Sequence, residues 1–289
     1  MKNFSKLLFL LLAVAIASCS KNDKIETVPL RDYALQYTAD LDSINKFIDT
    51  HYMTVTPELD VTFAKIDASA QPSIRQQSDF PLQFKTVTQG TIDYKVYYIN
   101  FREGANRQPT KLDSVYVTYK GELLSGTSFD QAQTPIWFEL DKVVKGWPEI
   151  VPMFKTGFYD NSGDQSNPTS FTDFGAGVMF LPSALGYYGS TSQSGSIPLY
   201  SPLIFSFKLM ELRYTDHDGD GILSKDEVAN PGDDPELYDT DGDGTPNYRD
   251  VDDDGDGYLT KFEIRENGVI TFPTCPGGTI SKHLDPTCH

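Results

Sequence analysis

Aspartates at alternate positions are the residues whose spacing says most about chemistry. Three such runs begin at Asp216, Asp239 and Asp252, and a glycine directly follows the third aspartate of each run. Calcium takes six to eight oxygen ligands, and a glycine at this point allows the sharp turn that gathers carboxylates around one ion. The spacing predicts calcium loops; a disordered acidic segment is the alternative.

The first and third runs resemble EF-hand loops, because each also carries a glutamate at position 12 of the loop. In EF-hands this glutamate binds with both oxygens, and position 7 contributes a backbone carbonyl. The resemblance implies two ligand sets: Asp216, Asp218, Asp220, Ile222 and Glu227, and then Asp252, Asp254, Asp256, Tyr258 and Glu263. We expect the ions to be structural rather than catalytic.

The middle run ends in an aspartate and resembles the thrombospondin type 3 calcium repeat. Its implied ligands are Asp239, Asp241, Asp243, Thr245 and Asp250. Pro246 cannot donate a strand hydrogen bond, and the flanking segments are too short for full EF-hand helices. The three runs therefore look more like extracellular calcium repeats or dockerin-like loops than like a calmodulin-type switch. Leu223, Leu259 and Phe262 are the candidate core of this region.

Five short segments upstream bring aromatic and small apolar residues together in a fixed order. They are 117–121 (VTYKG), 128–130 (SFD), 143–147 (VVKGW), 181–183 (LPS) with 187–189 (YYG), and 197–198 (IP) leading into 202–205 (PLIF). In this order they resemble the FKBP-type peptidyl-prolyl isomerases across roughly residues 85–213.

The FKBP resemblance implies a role for each matching residue. Trp147 would form the floor under a substrate proline, with Val144 also offering a backbone N–H to the substrate carbonyl. Asp130 would orient Tyr119 through a hydrogen bond, and Tyr188 would donate a hydroxyl, a role for which Tyr187 competes. The implied walls of the cleft are Tyr119, Phe129, Val143, Val144, Ile197 and Phe205.

Rotation about an X–Pro bond must overcome amide resonance, with a barrier of about 18–20 kcal/mol. An apolar, aromatic cleft favours the less dipolar twisted amide over the planar one, which water solvates better. Such catalysis needs no nucleophile, metal or cofactor. The alternative for these aromatic residues is a plain hydrophobic core.

The N-terminus carries a targeting signal. Lys2 and Lys6 precede an apolar run, residues 7–16, that is too short to span a bilayer as a mature helix. The run leads into residues 16–19 (IASC), which resemble a bacterial lipobox. The resemblance implies acylation of Cys19, and Ser20 favours delivery to the outer membrane. An ordinary secretory signal is the alternative.

Two further cysteines, Cys275 and Cys288, are predicted to form a disulfide, the default in an oxidising compartment. His283 and His289 lie nearby in the sequence, so zinc is a second possibility. However, adjacent ligands such as Cys288 and His289 do not match the usual zinc spacings.

The hydrophobic periodicity predicts an α+β fold. Residues 30–51 have a helical apolar face, and residues 92–98, 115–119 and 203–209 alternate as strands with one buried face. Residues 147–155 predict one short helix, residues 158–177 a long loop, and residues 54–80 no definite element. The predicted fold is an FKBP-like antiparallel sheet wrapped on a short helix, with an N-terminal helical segment and a C-terminal calcium-loop tail. The predicted domains are a signal peptide (1–18), a tether with the N-terminal helix (19–80), an FKBP-like domain (81–213) and the tail (214–289).

The net charge of −17 is concentrated in residues 216–263, where 17 acidic residues face 3 basic ones. Such a field repels phosphates, which excludes nucleic acid as an expected partner. The leading hypothesis is a foldase that isomerises X–Pro bonds in extracytoplasmic proteins and is held at the membrane by a lipid anchor. A non-catalytic FKBP-like binding scaffold and a calcium-dependent surface adhesion or assembly protein are the alternatives.

Overall fold

A six-stranded antiparallel sheet forms the centre of the computed structural model, which describes residues 29–68, 71–160, 170–190, 195–230 and 232–289. Its strand order is β3-β4-β9-β10-β5-β6. The strands are β3 (Leu82–Gln89), β4 (Ile92–Arg102), β5 (Ser114–Leu123), β6 (Ser128–Glu139), β9 (Gly175–Leu181) and β10 (Leu203–Arg213). The predicted signal peptide and Cys19 lie outside the described residues.

Both faces of the central strands are buried, whereas the alternation had predicted one buried face. Helix α1 (Tyr33–Thr50) packs Ile44 and Ile48 against one face, where they meet residues such as Phe180. The short helix α2 (Gly146–Ile150) and Trp147 lie in the cluster on the other face. Adjacent residues of a strand therefore enter opposite cores, which confirms the α+β class.

The region 54–80, which periodicity left unassigned, contains a two-stranded hairpin. Strand β1 (His51–Val55) continues directly from helix α1 and pairs with β2 (Val61–Lys65). Arg75 then ties this region back to the helix through Asp49, with an Nε–Oδ1 distance of 2.6 Å. Residues 51–68 and 71–80 are thus an extension of the helix layer.

The predicted long loop at 158–177 is partly strand. β7 (Phe158–Asp160) pairs with β8 (Ser170–Thr172), and β9 begins at Gly175. Glycines had suggested a loop, but here they permit close packing: a Cβ on Gly177 would lie 2.6 Å from the carbonyl oxygen of Ile99. The side chain of Phe154 occupies the rest of that space.

The acidic tail has little regular structure. Its elements are α3 (Thr260–Glu263), β11 (Arg265–Glu266), β12 (Val269–Ile270) and short 3₁₀ turns at Pro235–Leu237, Asn247–Arg249 and Lys282–Leu284. Cys275 and Cys288 form a disulfide, so their thiols are not available to zinc. The prediction that Phe262 is a core residue was wrong: it is 66% exposed, because Thr260, Glu263 and Ile264 occupy the inner side of that turn.

Tail and sheet are joined without a spacer, and residues 32–289 form one structural unit. Strand β10 ends at Arg213, and the amide of Thr215 already donates to the buried carboxylate of Asp113 at 3.2 Å. His217 and Arg249 of the tail both face Asp141 of the sheet domain, at 3.5 and 3.7 Å. Within the described part of the chain, no helix has the length and apolarity needed to cross a membrane.

Candidate active site and candidate metal centres

Trp147 lies at the bottom of an aromatic cluster and is only 2% exposed. Its ring meets those of Tyr119, Phe138 and Phe205 nearly at right angles or steeply tilted, with centroid distances of 5.7, 5.2 and 5.5 Å. Gly146 allows this placement, because a Cβ there would collide with the side chain of Leu181. The indole is thus held rigidly by edge-to-face contacts.

Tyr119 and Asp130 meet across the neighbouring strands β5 and β6. The phenol hydroxyl donates to Oδ2 of Asp130 at 2.6 Å. Burial, with the Asp130 carboxylate as second cause, raises the pKa of Tyr119, so this phenol keeps its proton. Phe129 packs edge-on against Phe205 at 5.5 Å. The structure therefore brings together Tyr119, Phe129, Asp130, Trp147 and Phe205.

The other predicted wall residues border the same cluster. Val143 and Val144 are half-buried and follow the 3₁₀ turn Leu140–Lys142, and the carbonyl of Val144 accepts the amide of Trp147 at 3.0 Å. Ile197 is buried in the same core. Eight of the nine residues predicted for the cleft lie in or against this one hydrophobic cluster. The ninth, Asp130, is linked to it through the hydrogen bond from Tyr119.

The adjacent tyrosines 187 and 188 point to different surroundings. Tyr188 has a left-handed φ of 48° and stacks on Tyr33 of helix α1, with ring centroids 4.2 Å apart. Burial raises its pKa to about 12. Burial, and then the charge of Asp130, raise the pKa of Tyr187. Tyr187 packs against the hydrophobic cluster that contains Trp147.

Phe138 is a member of the aromatic cluster around Trp147 that the sequence analysis missed. Its ring lies 5.2 Å from that of Trp147 and 5.0 Å from that of Tyr119. Ile136, two residues earlier, is 38% exposed. The alternation of side chains along a strand could have indicated Phe138, because residues 136 and 138 share one face of β6.

In the first acidic loop, Asp216, Asp218 and Asp220 each offer a carboxylate oxygen, all within 4.8 Å of one another. Gly221 has a φ of 108°, which allows the predicted turn. Glu227 is 7% exposed, and neither of its oxygens has a hydrogen-bond partner among the described residues.

Asp253 is a second residue that the sequence analysis missed. It comes from the third loop, yet its carboxylate lies within 4.8 Å of those of Asp218 and Glu227. Burial and then neighbouring carboxylates raise the pKa of Glu227 to about 9 and that of Asp253 to about 8. Buried carboxylates in this state are stabilised by a cation, and a divalent ion fits the all-oxygen donor set. No loop pattern could have indicated Asp253, because it occupies position 2 of its own loop.

The third loop repeats this geometry around Asp252, Asp254 and Asp256, whose oxygens are also within 4.8 Å of one another. Glu263 is 5% exposed, its two oxygens lack a partner in the described structure, and burial raises its pKa to about 7. The amide of Tyr258 donates to Asp256 at 2.7 Å.

The middle loop is more open. Asp239, Asp241 and Asp243 cluster within 4.8 Å but are exposed. The amide of Thr245 donates to Asp243 at 2.6 Å. Asp250 accepts the amide of Asp252 at 3.0 Å, and it is close enough to Asp241 and Asp243 that their charges, after burial, raise its pKa. This loop has no buried glutamate comparable to Glu227 or Glu263.

Comparisons with known proteins match the sheet domain and the acidic tail to two different families. Residues 105–158 match the family model "FKBP-type peptidyl-prolyl cis-trans isomerase", and residues 213–277 match the model "BamM C-terminal". FKBP-type peptidyl-prolyl cis-trans isomerase FkpA of Aeromonas hydrophila is 30% identical over 136 residues, which cover 46% of this chain and 42% of that protein. Peptidyl-prolyl cis-trans isomerase Mip of Coxiella burnetii is 38% identical over 76 residues, 25% of this chain and 31% of that protein.

Among solved structures, FkpA from Escherichia coli aligns over 73% of this chain and 72% of its own, at 20% identity and a TM-score of 0.37. The matched segments span half or less of the curated relatives: 42% of the Aeromonas protein and 50% of the macrophage infectivity potentiator of Trypanosoma cruzi. By sequence, the central part of this chain is thus related to the FKBP-type peptidyl-prolyl cis-trans isomerases.

Proposed function

We propose that this chain is a peptidyl-prolyl cis-trans isomerase that acts on X–Pro bonds of extracytoplasmic proteins. The observation that carries the proposal is the hydrogen bond between Tyr119 and Asp130 at 2.6 Å beside the buried ring of Trp147. It lies inside the segment that matches the isomerase family model.

The proposed mechanism follows from the polarity of the cleft. The substrate proline ring packs over Trp147, against the wall that the adjoining rings of Phe129 and Phe205 form. Removal of water disfavours the dipolar planar amide, so the cleft binds the twisted amide more strongly and lowers the rotation barrier. This difference in binding between the two states of the amide is the source of the rate enhancement.

Hydrogen bonds then fix the orientation of the substrate. The backbone N–H of Val144 donates to the substrate carbonyl. The hydroxyl of Tyr187 is the candidate second donor in place of Tyr188, because Tyr188 stacks on Tyr33 of helix α1. Asp130 orients the phenol of Tyr119, so that the ring presents its face to the proline. No proton is transferred, and no metal or cofactor takes part in the reaction.

A protease-coupled assay with proline tetrapeptides tests the proposal on the full chain. Replacing Asp130 by Ala frees the Tyr119 hydroxyl, and we expect kcat/KM to fall about 10-fold because the wall loses its fixed orientation. Gln131→Ala on the same strand is the matched control, since Gln131 is exposed and is paired with Lys120 in the strand register. A wild-type chain that leaves the uncatalysed rate unchanged would contradict the catalytic assignment and favour the non-catalytic scaffold.

The acidic tail supports a second proposal, the binding of structural calcium. Its strongest support is the pair of buried glutamates, Glu227 and Glu263, whose oxygens have no hydrogen-bond partner within the described residues. A bound calcium ion would compensate the negative charge of these carboxylates. Isothermal titration of the full chain with calcium and then magnesium tests this, and a chain that binds neither ion would contradict it. A specific partner retained by the tail only with calcium would favour the adhesion hypothesis.

We also propose that the protein is an outer-membrane lipoprotein anchored through acylated Cys19. The Cys275–Cys288 disulfide supports an oxidising compartment. Metabolic labelling with an alkyne fatty acid tests the anchor: the wild-type chain takes up label and Cys19→Ser does not. Label on both chains, or on neither, contradicts the lipid anchor.

A further inference from the structure

Helix α1 and the segment that carries Tyr187 meet at a buried carboxylate. Asp40, in the middle of the helix, is 1% exposed. Its Oδ2 accepts the backbone amide of Ser183 at 2.7 Å and the Ser183 hydroxyl at 2.6 Å. Its Oδ1 accepts the side-chain amide of Gln36 at 2.7 Å.

Packing alone does not explain a carboxylate at this position. A buried charge is costly unless hydrogen bonds compensate it, and an apolar residue of similar volume would fill the same space. The hydrogen bonds instead go to Ser183, the first residue of the 3₁₀ turn Ser183–Leu185. Asp40 therefore ties the first residue of this turn to helix α1.

The turn leads directly to the two tyrosines. The amide of Tyr188 donates to the carbonyl of Ser183 at 3.0 Å, so residues 183–188 close into one hydrogen-bonded unit with Tyr187 inside it. Helix α1 contacts the far side of this unit as well, because Tyr33 stacks on Tyr188. Tyr187 packs against the hydrophobic cluster that contains Trp147, and the charge of Asp130, after burial, raises its pKa.

We propose that Asp40 is a positioning residue of the isomerase site. The N-terminal helix α1 therefore helps to orient residues of that site. The Asp40 carboxylate fixes Ser183, and through the 183–188 unit it holds the Tyr187 hydroxyl at the rim of the cleft. This inference rests on the proposed isomerase function. It extends the proposed isomerase site to Asp40, which is more than 100 positions away in sequence from Ser183.

The experiment uses the full chain with Asp40→Asn, Ser183→Ala and the double variant. Asparagine keeps the shape of aspartate but replaces one carboxylate oxygen by an NH2 group, which then opposes either the donors of Ser183 or the side-chain amide of Gln36. Ile44→Val is the matched control, because Ile44 is buried on the same helix yet packs in the opposite core. We measure kcat/KM on proline tetrapeptides, the melting temperature, and amide hydrogen exchange of the peptide that contains residues 183–188.

We expect Asp40→Asn to lower kcat/KM about 10-fold and to speed exchange at 183–188. Ile44→Val should change the melting temperature and leave both readouts as in the wild type. Ser183→Ala removes the hydroxyl bond to Asp40 but leaves the backbone amide bond, so its effects should have the same direction and be smaller. Since the hydroxyl bond is common to both changes, the double variant should be no worse than Asp40→Asn alone. If Asp40→Asn does not fold, Ser183→Ala tests the same direction of change.

Two results would overturn the proposal on an active wild-type chain. One is a drop in activity that tracks the melting temperature equally in Asp40→Asn and Ile44→Val. The other is fully additive effects of the two single changes. An inactive wild-type chain would instead refute the isomerase function, while the exchange readout would still report whether Asp40 holds the turn.

Discussion

The aromatic cleft and the acidic tail are built on opposite physical principles. The cleft is held by apolar side chains from distant strands, with Trp147, Phe205 and Phe207 buried in one core. The tail buries few apolar side chains, among them Ile222, Tyr248 and Ile264, and it also buries carboxylates such as Glu227. The aromatic cluster is stable because its apolar side chains exclude water. The acidic tail needs positive charge near its carboxylates, and a bound cation would supply it.

This difference teaches that the two regions should respond to different perturbations. Apolar burial yields about 25 cal/mol per Å² and is insensitive to metal ions. Clustered carboxylates repel one another, and a bound ion adds stability in proportion to the logarithm of its concentration above Kd. Conditions that remove one contribution should leave the other in place, and the predictions below test that separation.

The largest expected effect is at the floor of the cleft. Trp147→Ala should destabilise the sheet domain by about 3–5 kcal/mol, because a large buried side chain is removed. Urea unfolding followed by circular dichroism measures it. Trp137→Ala is the control, since Trp137 is 38% exposed and contacts Arg213 at 4.3 Å on the edge strand. Equal destabilisation by the two changes would show that the cleft is not organised around Trp147.

Removal of calcium should have the next largest effect. At a free calcium concentration 100 times Kd, the ion contributes about 2.7 kcal/mol per site. A chelator should therefore make the peptide bonds of residues 216–263 susceptible to protease while the strands of the sheet stay protected. Equal protection of the tail with and without chelator would remove the distinction between the two regions.

A single ligand substitution should have a smaller effect. Glu227→Gln removes one charge from the first loop, and we expect calcium affinity there to fall about 10-fold or more. Asp226→Asn is the matched control, because Asp226 is exposed and pairs with Lys225 rather than with the loop. Titration calorimetry of both variants measures the difference, and identical affinities would exclude Glu227 as a ligand.

The smallest effect is a pH dependence of the metal-free tail. Burial raises the pKa of Glu227 from 4.5 to about 9, so the folded tail binds the proton more tightly than the unfolded chain. The resulting stabilisation of the folded tail is complete below the pKa that Glu227 has in the unfolded chain. It is lost as the pH rises through the pKa that Glu227 has in the folded tail. In chelator, the protection factors of the amides of residues 216–227, each taken relative to the intrinsic exchange rate at the same pH, should therefore be higher at pH 5 than at pH 9. The opposite order would show that Glu227 is solvated without the ion.

Sequence alone could predict those features that depend on local spacing. The pairing of Tyr119 with Asp130 was expected from matched segments, and the glycine turn at Gly221 from the aspartate spacing. The choice between Tyr187 and Tyr188 depends on helix α1, which stacks Tyr33 on one of them from a distant part of the chain. Asp253 was missed for the same reason, because its partners Asp218 and Glu227 belong to another loop.

The junction between strand β10 and the first acidic loop has a consequence for motion. β10 lies in the interior of the sheet, between β9 and β5, and Thr215 is already bonded to Asp113. A rigid reporter on the tail should therefore rotate with the whole molecule. Fluorescence anisotropy decay would give one rotational correlation time for labels on either region, and a faster second component would appear only once the tail has lost its ions.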